Sequence, residues 1–134
     1  MQEADFGAKF QTWWATNKPC PVAALEYKVT KTNTFNLTKW HKKQPQQYVE
    51  LVKATTSEGV MWKISDLDPR TKPFDAFFIS ESPAFLVVWY HRQRRFFIIP
   101  VHEIPDQTSI SYLYCLERWT AHELLPDVSK RYDF

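Results

Sequence analysis

The chain has 134 residues, 44% hydrophobic, 24% charged and an unusually high 16% aromatic, with only two glycines and a formal net charge of +2. This length and composition suit one globular domain spanning residues 1–134, and so few glycines exclude GxGxxG and Walker-type phosphate loops. A charge of +2 is too small to imply nucleic acid as a partner by itself, and Cys20 and Cys115 stand in no metal-ligand spacing, which argues against zinc and for reduced thiols. The N-terminus lacks a basic-then-apolar leader and no stretch reaches 18 apolar residues, so the expectation is a soluble, intracellular, cytoplasmic protein without membrane association.

In chain order, Phe6, Phe10, Trp13 and Trp14 form the aromatic stripe of an amphipathic helix over residues 3–16, ended by Lys18-Pro19-Cys20-Pro21. Residues 23–30 (AALEYKVT) read as a strand, with Leu25, Tyr27 and Val29 facing a core and Glu26 and Lys28 on the opposite face, about 6.7 Å apart. Lys31 to Asn36 is a polar connector. Thr38 is a candidate cap for the next helix, whose inward face is Trp40, Gln44, Tyr48, Leu51, Val52 and Thr55. Pro45 cannot sit in a helix interior, so an irregular turn is expected through about residue 43, with a regular helix starting at Pro45 and closed by Gly59.

Residues 60–65, 74–80, 84–90 and 96–101 are strand-like, the last three read as an antiparallel meander with Arg92, Arg94 and Arg95 at its second turn. A final helix over about residues 111–124 places Tyr112, Leu116, Trp119 and Leu124 inward. The order of elements gives an α/β or α+β fold, a mixed sheet flanked by helices.

The candidate chemistry begins at Glu26 and Lys28, since a carboxylate and an amine on a buried strand are costly unless paired or coordinated. An acid two residues before a lysine is expected about once by chance in this composition, so context must carry the reading. Asp75, set among phenylalanines in KPFDAFF, is the other conspicuous acid. If residues 74–79 lie beside residues 23–30, Asp75 and Glu26 share a divalent cation. Two carboxylates, the backbone carbonyl of Tyr27 and waters suit magnesium or manganese. Lys28 then orients the attacking water and stabilises charge developing on phosphorus.

Glu26-Tyr27-Lys28, followed by Thr34-Phe35-Asn36-Leu37-Thr38-Lys39-Trp40-His41-Lys42-Lys43-Gln44 at a helix start, resembles the PD-(D/E)XK nuclease superfamily in its Holliday-junction-resolvase branch. Glu3-Ala4-Asp5-Phe6-Gly7, Lys63-Ile64-Ser65-Asp66 and Lys72-Pro73-Phe74-Asp75 resemble segments of phage-type resolvase-like proteins of that branch. The resemblance spans roughly residues 3–101. It implies a restriction-endonuclease-like mixed sheet and a magnesium-dependent endodeoxyribonuclease acting in DNA recombination, with Glu26 a metal ligand, Lys28 the catalytic lysine and Gln44 contacting the scissile phosphate or water. The chain departs from the family in having no acid between Trp14 and Glu26, so Asp75 must supply the second carboxylate from downstream. Asp5, ahead of Glu3, is a candidate further ligand.

Lys39, His41, Lys42, Lys43, Lys72, Arg92, Arg94 and Arg95 are the candidates for contacting DNA phosphates, which would make binding salt-dependent. A branched junction offers two symmetric strands, so a homodimer is expected. The competing reading keeps the nuclease fold without activity, binding DNA or a protein partner.

Overall fold

The structure, a computed structural model, describes residues 2–64 and 73–124. Helix α1 (Glu3–Asn17) leads into strand β1 (Ala24–Thr30), followed by β2 (Thr34–Asn36), α2 (Leu37–Lys43), α3 (Pro45–Ala54) and β3 (Val60–Lys63). Strands β4 (Ala76–Ile79), β5 (Ala84–Tyr90) and β6 (Arg95–Pro100), a 3-10 turn at Val101–Glu103, β7 (Ser109–Ser111) and α4 (Tyr112–Arg118) complete it. The fold is mixed α+β, as expected.

The central sheet has the order β1-β5-β6, β1 parallel to β5 and β5 antiparallel to β6. A parallel neighbour needs a long crossover, and α2 and α3 lie within the connection from β1 to β5. Almost every residue of β5 is buried because both faces of the strand are covered. Val87 and Trp89 join Phe6 and Phe10 of α1 in one core, against which Leu25, Tyr27 and Val29 pack, as their alternation predicts. Leu86, Val88 and Tyr90 face the other way, into a core with Trp40, Leu51 and Ala54 of α2 and α3.

Local chemistry explains the boundaries. Helix α1 stops where Lys18 turns left-handed (φ 45°) and its N–H caps Trp14 O. Asn36, not Thr38, caps α2: its Oδ1 accepts from Lys39 N at 2.8 Å. The stretch before Pro45 is a regular helix of seven residues rather than an irregular turn, because the break falls entirely on Gln44 (φ −138°, ψ 60°), with Pro45 at the first turn of α3.

Long-range pairing changes four further expectations. The end of the polar connector is strand β2, recruited by β7 through Phe35 opposite Ile110. Strand β4 pairs with β3 and so does not join the antiparallel β5–β6 pair in one meander, and the place beside β1 belongs to β5. Helix α3 ends at Ala54, and Gly59, at φ 70°, instead shapes the turn into β3. The last helix stops at Arg118, with Cys115 buried and Leu116 exposed, because Trp119 leaves helical geometry and His122 forms a bridge to Phe96.

Candidate functional site

Lys28 is the one charged residue among the buried described residues, at 7% exposure. Its Nζ donates to Gln44 Oε1 at 2.6 Å and lies 3.4 Å from Glu26 Oε1 and 3.8 Å from Glu3 Oε1. Three side chains from α1, β1 and the α2–α3 junction thus meet at one ammonium. Burying a lysine costs free energy unless it is compensated, and here the Gln44 amide oxygen accepts a hydrogen bond while two carboxylates lie within ion-pair distance.

Each partner is delivered by a local feature. Strand alternation puts Glu26 and Lys28 on one face of β1. The Pro45 break turns Gln44 out of helical geometry while its N–H still closes on Trp40 O at 2.9 Å, and from that bend the side chain reaches Lys28. Gly7 brings the N-terminal end of α1 close to β1: a Cβ there would sit 3.1 Å from the Tyr27 ring. Glu3 is four residues before Gly7 and seven before Phe10, on the stripe that faces the sheet.

Burial pushes the Glu26 carboxyl above its usual value; the Lys28 ammonium opposes this by charge and hydrogen bonding, and Glu3 adds to the rise. Burial likewise raises the Tyr27 hydroxyl, whose ring packs edge-on against Phe6. The Tyr27 backbone sits in the β1–β5 ladder opposite Val87.

The sequence-derived site is therefore brought together in part. Glu26, Lys28 and Gln44 converge. Asp75 does not lie on a neighbour of β1: it precedes β4 at the outer end of the β3–β4 ribbon, exposed, its carbonyl accepting from Ile64 N at 2.8 Å. Asp5 is exposed, and the acid of α1 that reaches Lys28 is Glu3. Glu3 lies on the aromatic stripe of α1, three residues before Phe6, and that position is the sequence signal that separates it from Asp5.

Among the phosphate-contacting candidates, Lys39, Lys42 and Lys43 are exposed on α2, immediately before Gln44. His41 packs against the Trp40 and Tyr48 rings at 5.0 and 4.9 Å. Arg92 and Arg94 are exposed on the β5–β6 turn, close to the end of β1 where His91 N bonds Thr30 O, while Arg95 is 3.4 Å from Glu123. Lys72, together with Ser65 and Asp66 of the resemblance, lies outside the described residues.

Glu26 and Glu3 supply hard oxygen donors from two elements, which fits magnesium, an ion often held by one or two carboxylates with water and phosphate completing its shell. Among the described residues no three His, Cys, Asp or Glu side chains gather, so an all-protein cage does not fit. Cys20 and Cys115 are free thiols. No described helix is long and apolar enough to cross a membrane.

No family model matches the chain, and neither a curated protein nor a solved structure matches it.

Proposed function

We propose that the protein is a magnesium- or manganese-dependent, structure-selective DNA endonuclease, acting on branched DNA as a homodimer. The observation that carries this reading is the buried Lys28 ammonium held by Gln44 with Glu26 and Glu3 beside it. Phosphodiester hydrolysis needs a positioned water and fixed positive charge where the phosphoryl oxygens gain negative charge. Lys28, oriented by Gln44, supplies the charge and a hydrogen bond to the water. Glu26 and Glu3 are the residues to hold the metal, which when bound supplies Lewis-acid polarisation of a phosphoryl oxygen. Lys39, Lys42 and Lys43, next to Gln44 in the chain, and Arg92 and Arg94 supply neutralising charge for the DNA backbone.

Purified protein with magnesium should cut a four-way junction, and Glu26→Gln should abolish the cutting. Undiminished cleavage by that variant would overturn the assignment.

A second reading is a nuclease-fold protein that binds DNA without cutting it. It is favoured by the absence, among the described residues, of a three-ligand cluster and by the two carboxylates resting on Lys28 itself. It predicts salt-sensitive junction binding that a chelator leaves unchanged and no cleavage with either metal.

A further inference from the structure

The β3–β4 ribbon is a separate two-stranded sheet whose large apolar side chains are exposed: Met61 is 67%, Trp62 53%, Phe77 41% and Phe78 53% exposed. Its two faces are different. Val60, Trp62, Phe77 and Ile79 share one face by strand alternation and register, and all four line a cavity of about 480 Å³ between the ribbon, β1 and α3. Met61 and Phe78 occupy the other face, where the Phe78 ring covers Gly59. The cavity adjoins the Lys28 cluster through Glu26, which lines the cavity and lies 3.4 Å from Lys28 Nζ.

The chemistry of the walls selects a ligand. Trp62 and Phe77 offer aromatic surface on one side. Opposite are the amides of Gln46 and Gln47 and the carboxylate of Glu50, itself 3.8 Å from Lys53. Gln47 Oε1 is taken by Trp40 Nε1 at 2.8 Å, leaving the amide nitrogen as its remaining donor. Two carboxylates and no cation line the cavity among the described residues, so a phosphate is disfavoured there. A flat, neutral ring system with exocyclic amino donors and ring acceptors matches: carboxylates accept from base amino groups, glutamine amides pair with adenine, and any base stacks on an aromatic face.

We infer that this cavity receives an unpaired nucleobase of the DNA strand whose phosphate lies at Lys28. The inference rests on the nuclease-site reading and adds to it the reason for structure selectivity: a base can enter only where it is already unpaired, as at a branch point, or where unstacking is inexpensive.

The test uses a forked DNA duplex carrying 2-aminopurine in its single-stranded arm, titrated with protein in a chelator, with magnesium-dependent cutting of the same fork measured separately. Wild-type protein should change the 2-aminopurine fluorescence on binding. Phe77→Ala and Trp62→Ala should weaken that response about tenfold, the usual scale of one stacking contact. Glu50→Gln, a near-isosteric change that guards against misfolding, should weaken it as well. A response identical in all three variants overturns the base pocket, whether or not the fork is cut. A variant-sensitive response without cutting retains the pocket and overturns the nuclease, and an absence of fork binding overturns both.

Discussion

Lys28 Nζ and Gln44 Oε1 are 2.6 Å apart although the residues are 16 positions apart in the chain, and this part-buried bond ties β1 to the α2–α3 junction. A hydrogen bond to a buried charge contributes more than a neutral one, so Gln44→Ala should cost about 1.5–3 kcal/mol in urea unfolding. A loss below about 0.5 kcal/mol, the range of ordinary surface changes, would mean that Lys28 is satisfied without it.

Glu3 and Asp5 begin the same helix, yet only Glu3 approaches Lys28, at 3.8 Å. Under the nuclease reading Glu3→Gln should slow magnesium-dependent cutting by about 100-fold, the scale of losing one electrostatic group at a site. Asp5→Asn should leave the rate within about threefold, as expected of an exposed residue away from the cluster. Asp75→Asn decides whether the ribbon acid also participates; a loss as large as that of Glu3→Gln would place a ligand on the ribbon. Single-turnover rates on one branched substrate settle all three.

The raised carboxyl of Glu26 makes stability depend on pH in a definite direction. A carboxyl with a higher pKa in the folded state stabilises the fold below its unfolded value, near 4.5, and that contribution is lost as the pH rises through the folded value. Wild-type stability relative to Glu26→Gln should therefore fall between about pH 4 and neutrality. Denaturant midpoints at several pH values check this. A difference that grows in favour of wild type over that interval would show that Lys28 outweighs the burial.

His122 behaves in the opposite sense. Its ring packs on Trp13 and Phe96, with centroids 5.0 and 5.3 Å away, and burial lowers its pKa below the usual 6.5. The unfolded chain then takes up the proton first, so stability should decline as the pH falls through 6.5 toward the folded value. His122→Phe should flatten that part of the profile, measured as melting temperature against pH.

Gly59 occupies φ 70° at the entrance to β3, where an added Cβ would run into the Phe78 ring and meet the Ile79 carbonyl at 2.8 Å. The exposed Phe78 ring can swing aside, but the backbone oxygen cannot. Gly59→Ala should therefore cost more than about 1 kcal/mol in thermal or chemical unfolding, against the small gain an alanine brings where its conformation is allowed.

Much of this arrangement was legible in the sequence where the cause is local. The aromatic stripe of α1, the alternation that separates Tyr27 from Lys28, and the Pro45 break that releases Gln44 are all consequences of neighbours a few residues apart. The choice of strand neighbours was not legible. Residues 76–79 and 84–90 are both continuously apolar, and periodicity assigns side chains to faces without saying which backbone lies alongside.

By itself, the sequence determined the mixed helix and strand content, the face that carries Glu26 and Lys28, and the presence of a glutamine at the next helix start. Tertiary structure alone decided that β5 takes the place beside β1, that β4 is carried away on a ribbon with β3, and that Glu3 rather than Asp5 joins the lysine. Backbone hydrogen bonds pair any two strands, so their partners are settled by which apolar faces can be buried together across the whole molecule. Here that burial placed α1 against Tyr27 through Gly7, and with it the carboxylate of Glu3 beside Lys28.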